Sequence, residues 1–432
     1  MTLTDAAPRT RRDALTALPV VVIGAGPVGL AAAAELLARG VEPLVLEQGD
    51  RAGAAVLQWG HTRLFSPWKH VVDPAAVALL DAEGWRAQHP DAMPTGHEFV
   101  THYLAPLAAT AALRDRIRYG TRVEAVSRLG MDRTRSEGRA DAPFVVRIAG
   151  EERELHARAV IDASGTFSQP NGVLSSGLPL RHQRAVAEHL THGLPDVLGA
   201  QRARFAGRRT IVVGAGHSAA NTLIALARLA EREPGTTATW LVRSASPTRV
   251  FGSADDELEA RASIGATVRS LVQSGAITLV TETFVDDVLP AGDAVTVTGT
   301  RAGEPFALDA DTVVVATGFR PSLDALREIR LALDDVVEAP VSLAPLIDPN
   351  LHSCGTVPPH GVVELMHPEP QFWLAGMKSY GRAPTFLLLT GYEQVRSIAA
   401  EVAGDHDAAR RVQLVLPETG VCSTDAASSC CA

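Results

Sequence analysis

The segment Val20-Val21-Val22-Ile23-Gly24-Ala25-Gly26-Pro27-Val28-Gly29-Leu30, with the run Ala31-Ala32-Ala33-Ala34-Glu35-Leu36-Leu37 behind it, sets the architecture of the chain. The β-branched residues read as a buried parallel strand, and the alanine-rich run is strong helix former throughout. Between them stands Gly-x-Gly-x-x-Gly. Gly24 permits a tight turn, Gly26 lets a pyrophosphate approach the backbone, and Gly29 lets helix and strand pack closely. The helix then offers free N–H groups and the positive end of its dipole to the phosphates. Alone, the pattern is weak. It gains weight from a second strand, Pro43-Leu44-Val45-Leu46, which ends in Glu47. An acidic residue roughly 20 positions beyond the glycines is where an adenosine ribose is hydrogen-bonded.

The 432 residues suffice for two or three domains with substantial cores. An apolar content of 46% with 21% charge is ordinary globular composition. A net charge of -9 argues against a nucleic-acid-binding surface or a basic membrane anchor. The four cysteines, three of them at the very end of the chain, are no disulfide framework and fit a reducing compartment. Arg11-Arg12 ahead of an apolar run resembles an export signal, and Leu18 to Leu37 has the length of a membrane span. Both features coincide with the glycine fingerprint, which cleavage would destroy. Residues 1–17 therefore read as a disordered arm and the protein as soluble and cytoplasmic.

After Glu47 and Gln48 the chain passes through a polar loop to Trp59-Gly60-His61-Thr62-Arg63-Leu64-Phe65-Ser66-Pro67-Trp68. Aromatics with an Arg and a His between turn formers suit either a wall against a flat ring or ordinary loop packing. His97 to Leu113 has helical spacing. Ile117 to Val126, which contains Val123, alternates like a strand, as does Phe144 to Ile148, and the charged stretch Met131 to Pro143 reads as a hairpin loop. Ala159-Val160-Ile161-Asp162-Ala163-Ser164-Gly165 is a strand entering a small-residue turn suited to close approach of a ligand. The chain then repeats itself. Thr210 to Val213 leads into Gly214-Ala215-Gly216-His217-Ser218-Ala219, a second strand–turn–helix fingerprint with Ala219 in the third glycine position. The next strand, Thr237 to Val242, ends in Arg243, which suits a 2′-phosphate and so NADP over NAD; an exposed strand-end charge is the other reading. Asp311 to Val315 is a further buried strand running into Ala316-Thr317-Gly318. Gln371 to Ala375 runs into the Gly376 loop, and a helix spans Phe386 towards Val402.

This ordered set resembles the two-dinucleotide-binding-domain flavoproteins, and among them the flavin-containing and N-hydroxylating monooxygenases, over roughly residues 18–400. The resemblance implies an α/β fold of two Rossmann-like domains, with an NADPH domain inserted in an FAD domain. The expected bounds are 18–200 and 312–403 for FAD and 201–311 for NAD(P)H, with a flexible cysteine-bearing tail over 404–432. By resemblance the first fingerprint and Glu47 hold FAD, approached by Ala163-Ser164-Gly165 and Gly376, while the second fingerprint and Arg243 hold NADPH. Ala316-Thr317-Gly318 falls at the return crossing. Trp59 and Arg63 stand where such monooxygenases carry an aromatic and a basic residue near the flavin. Gln48 and Val123 complete the cofactor-binding set.

The chain departs from the flavin-containing monooxygenases in one motif: Phe205-Ala206-Gly207 precedes the second fingerprint, but position 211 is Ile rather than His. It also lacks the Cys-x-x-Cys or Cys-x-x-x-x-Cys of flavoprotein disulfide reductases. The resemblance implies hydride transfer from NADPH to flavin, then delivery of one oxygen atom from molecular oxygen to a small molecule through a flavin hydroperoxide. His61, Arg63, His217 and Lys378 are acid–base candidates by location only. In the tail, Cys422 and the adjacent Cys430-Cys431 are soft ligands suited to trivalent arsenic or mercury, with Cys354 a further thiol. Two other readings stay open on these residues: a flavoprotein reductase or oxidase handling a thiophilic metalloid, as in arsenic or mercury resistance, and a non-catalytic redox sensor or metal carrier.

Overall fold

Short apolar runs bounded by glycine turns are too brief for helices, and they pair as fully buried parallel strands. A computed structural model describes residues 15–251, 259–348, 357–384 and 386–414. In it β1 (Val20–Ile23), β2 (Pro43–Leu46) and β3 (Ile117–Arg118) lie side by side, and β7 (Ala159–Asp162) and β16 (Phe372–Leu374) extend the sheet beyond β1. Every pairing is parallel. The second sheet repeats the plan. There β9 (Arg209–Val213) is central, with β10 (Thr237–Leu241) and β11 (Thr278–Val280) on one side and β15 (Thr312–Val315) and β8 (Leu190–His192) on the other. In each sheet the strand order turns back at the fingerprint strand. That is the switch point where ligands bind, beyond the carboxyl ends of the strands. Two antiparallel meanders flank the sheets: β4 (Val123–Arg128), β5 (Phe144–Ile148) and β6 (Leu155–Ala157), and β12 (Thr283–Ala291), β13 (Ala294–Arg301) and β14 (Glu304–Ala310).

The alanine run is explained by what covers it. Helix Pro27–Ala38 has Ala31, Ala32 and Ala33 all fully buried, so it is enclosed all round and carries no polar face. Helix Leu388–Ala403 packs against it closely enough that a Cβ on Gly391 would lie 2.7 Å from Val28 Cγ2. Larger side chains would force the two helices apart.

Several expected bounds move. β8 and β15 both pair into the second sheet, so residues 190–192 and 312–315, assigned from sequence to the FAD-binding parts, belong to the second fold. The cause is lateral pairing: β15 pairs with β9, and β8 covers the outer edge of β15. Of the expected arm, residues 15–17 form a helical turn closed by the Leu18 N–H on the Leu15 carbonyl at 3.1 Å; residues 1–14 lie outside the described residues. Of the expected tail, residues 404–414 fold back onto helix Leu388–Ala403. Arg396 there donates to the carbonyls of Ala408 at 3.0 Å and Arg411 at 2.7 Å. The strand expected over Ile117 to Val126 is broken in two at Gly120, whose φ of 62° ends β3. The charged stretch Met131 to Pro143 is the hairpin loop expected, joining the antiparallel strands β4 and β5, and it is anchored at its base. Its Arg139 is buried and, with Arg128, grips the buried Glu369 carboxylate at 2.7–3.0 Å.

Candidate functional site

At the first fingerprint each glycine has a separate steric reason. Gly24 takes φ 100°, and a Cβ there would sit 2.9 Å from the Ala163 carbonyl oxygen and 3.0 Å from Ser164 Cα. A Cβ on Gly29 would overlap the Gly24 carbonyl. A Cβ on Gly26, by contrast, would meet nothing within 4 Å. The open space is at Gly26, where the chain turns into helix Pro27–Ala38 and no side chain caps the helix amino terminus. Glu47, buried at the end of β2, points its carboxylate at this turn: Oε2 accepts from the Ala25 N–H and Oε1 from the Gly49 N–H, both at 2.7 Å. A cradle open at Gly26, an uncapped helix end and a carboxylate reaching in from the end of the neighbouring strand β2 fit a dinucleotide pyrophosphate and its ribose. Gln48 beside it is exposed, and Val123 is a half-buried residue at the start of β4.

Two further turns close on this one. After β7, the Ser164 hydroxyl donates to Asp162 Oδ1 at 2.6 Å. After β16, Gly376 at φ 67° lies against the first fingerprint helix, where its Cβ would be 3.1 Å from Val28 Cγ2. The Gly376 N–H donates to Gln394 Oε1 at 2.8 Å, and the Gln394 amide donates to Ser379 Oγ and His360 Nε2, both at 2.9 Å. Burial lowers the His360 imidazole from its ordinary value, and with Nε2 accepting from Gln394, Nδ1 donates to the Pro358 carbonyl at 3.0 Å.

The second fingerprint has the same form. Gly214 adopts φ 132°, where a Cβ would overlap the Ala316 carbonyl, and a Cβ on Gly216 would meet nothing within 4 Å. Helix His217–Ala230 begins there without a side-chain cap, with Ser218 half-buried and Ala219 fully buried in its first turn. Arg243 stands exposed just past β10, beside the fingerprint strand β9. Its long spacing from Gly214 comes from that helix running to Ala230 and a turn before Thr237.

The two folds are joined by paired crossings. Asn171 donates its backbone N–H to the Gly318 carbonyl at 2.9 Å and its side-chain amide to the Thr317 carbonyl at 3.1 Å. The Thr317 hydroxyl donates to the Asn171 and Gly172 carbonyls at 3.1 Å, and Phe167 stacks on Phe319 at 4.8 Å. A further contact bridges the folds: Phe65 packs at 5.1 Å on His217, at the start of the second fingerprint helix.

The acid–base candidates come out differently. His61 is exposed, and Arg63 is exposed with its guanidinium donating to the Met93 carbonyl. Trp59 lies on Gly96, where a Cβ would come within 2.9 Å of its ring. Lys378 is buried, its ammonium donating to Asp162 Oδ2 at 2.6 Å and Ser164 Oγ at 3.0 Å. Sequence reading missed Asp162 and Gln394. Asp162 did leave a signal, a charge ending an otherwise apolar strand; Gln394 is one polar residue on a helix and left none. Cys354, Cys422, Cys430 and Cys431 lie outside the described residues. Among the described residues no group of three His, Cys, Asp or Glu could hold a metal ion, and no helix is long and apolar enough to cross a membrane.

Comparison with known proteins agrees with this geometry. The pyridine nucleotide-disulphide oxidoreductase family matches residues 21–342. Indole-3-pyruvate monooxygenase YUCCA1 of rice is 31% identical over 211 residues, 48% of this chain and 45% of that protein. Ferredoxin–NADP reductase 1 of Cupriavidus necator is 28% identical over 219 residues, 50% of this chain and 52% of that one. The chain thus spans about half the length of the curated relatives it matches. Among solved structures, bacillithiol disulfide reductase Bdr of Bacillus cereus shares the fold with a TM-score of 0.64 at 19% identity, covering 90% of this chain and 99% of that one. With both dinucleotide folds in place and the match running through most of the chain, the protein belongs to the pyridine nucleotide-disulphide oxidoreductase family.

Proposed function

We propose that the chain is a flavin monooxygenase that draws electrons from NADPH and oxygenates a small molecule. The first fingerprint, with Glu47, is the FAD seat and the second, with Arg243, the NADPH seat. The observation that carries this reading is the pair of open, uncapped fingerprint turns in a chain whose first cysteine is Cys354. Neither dinucleotide fold therefore carries a thiol pair to receive electrons. When bound, flavin accepts hydride from NADPH and, once reduced, activates molecular oxygen.

The protein's own residues bind and orient. Glu47 fixes the first turn, and Gly26 and Gly216 admit the two pyrophosphates. The buried Gln394 network sets the Gly376 turn. The Phe65–His217 contact and the Phe167–Phe319 stack tie the two folds to each other.

The test is NADPH oxidation under isotopically labelled oxygen, with a panel of small amines, sulfides and ketones. The reading expects one labelled oxygen atom in a product and less hydrogen peroxide when that substrate is present. Unlabelled substrates, with electrons delivered instead to a disulfide or to ferredoxin, would replace it with a reductase.

A further inference from the structure

Strand pairing fixes where β7 and β16 end, but not the turns beyond them. Leu374 of β16 pairs with Asp162 of β7, so the chain leaving β16 comes back beside the Asp162 carboxylate four residues later, at Lys378. Both side chains are buried, 3% and 4% exposed, and every oxygen of Asp162 is used. Oδ2 accepts from the Lys378 ammonium at 2.6 Å; Oδ1 accepts from the Ser164 hydroxyl at 2.6 Å and from the Ser164 N–H at 3.1 Å. Lys378 also donates to Ser164 Oγ at 3.0 Å. The result is a closed ring of contacts tying the Ser164 turn to the Gly376 turn. Both turns lie against the first fingerprint, at Gly24 and at Val28 respectively. Fold stability alone does not call for this arrangement, since a buried ion pair is often replaced by apolar side chains at no net cost.

We propose that Lys378 is a positioning residue for FAD: through Asp162 and Ser164 it holds the two turns at a fixed separation, so that the flavin meets a preformed seat. The proposal rests on the reading of the first fold as the FAD seat. It gives Lys378 no part in proton transfer, because both of its partners are on the protein.

The test compares wild type with the double variant Lys378→Met/Asp162→Asn, which removes both charges and keeps an acceptor for Ser164. Four quantities are measured: thermal midpoint of the apoprotein, NADP⁺ affinity, FAD affinity, and the visible circular dichroism of the bound flavin. The expected result is an unchanged midpoint and NADP⁺ affinity, FAD binding weaker by about tenfold, and an altered flavin spectrum. The single variant Lys378→Met should lower the midpoint more than the double one, because it leaves the Asp162 charge buried without a counter-ion. FAD affinity and spectrum equal to wild type in the double variant would overturn the proposal while leaving the FAD seat intact. Loss of midpoint and NADP⁺ affinity together with FAD affinity would also overturn it, in favour of a general structural role. A wild-type protein that takes up no FAD would overturn the seat and the proposal together.

Discussion

Gly26 and Gly29 are three residues apart and look alike in sequence, yet their surroundings oppose each other. Gly29→Ala drives a methyl group into the Gly24 carbonyl, whereas Gly26→Ala places it in open space. The expected outcome is that Gly29→Ala loses fold and flavin together. Gly26→Ala should keep the apoprotein's thermal midpoint within a few degrees and lose FAD, read by thermal melts beside flavin fluorescence. Arg243 carries a prediction of a different kind. If its guanidinium meets the 2′-phosphate, Arg243→Ala should raise the KM for NADPH by roughly tenfold to a hundredfold and leave that for NADH nearly unchanged. An equal effect on both nucleotides would make Arg243 an ordinary surface charge. The turn geometry of Glu47 and the fingerprint glycines was legible in the sequence because it is local, set by a turn and the strand beside it. The Asp162–Lys378 pair was not, since its partners meet only once β16 has paired with β7.

The elements show the same division. Short β-branched runs followed by glycine turns marked both fingerprint strands and the helices behind them. Burial on all sides explains why Pro27–Ala38 is built of alanine, and that followed only from seeing helix Leu388–Ala403 against it. Short strands at sheet edges, such as Leu190–His192, carry too little pattern to be placed, and the domain bounds were displaced accordingly. Helix Pro74–Asp81 holds an unexpected titratable group. Asp73 caps it by accepting from the Ala76 N–H at 2.9 Å, and its own N–H donates to the Tyr103 hydroxyl at 2.9 Å. Burial, with repulsion from Glu35, pushes its carboxyl from the ordinary 3.8 up to about 7. Because the folded value lies above the unfolded one, the stability tied to the neutral acid is full below 3.8 and is lost as pH rises through about 7. The thermal midpoint should therefore fall between about pH 4 and about pH 7 and level off above that. Asp73→Asn, which keeps the capping oxygen, should flatten that slope.

Two copies of one plan are joined at paired crossings. The residues that join them, Asn171 with Thr317 and Phe167 with Phe319, lie far apart in the chain and were invisible as partners until folded. The repeat itself was plain, because each copy announces its phosphate turn with glycines. On the proposed reading, the route of the electrons turns on the absence of a thiol pair from either dinucleotide fold. The decisive measurement is stopped-flow absorbance of the FAD-loaded protein, reduced anaerobically with NADPH and then mixed with oxygen. A monooxygenase should return to the oxidised spectrum through a species that is neither the reduced nor the oxidised flavin and that persists while NADP⁺ stays bound. Direct, single-phase return from the reduced to the oxidised spectrum would contradict the account and mark the protein as a reductase.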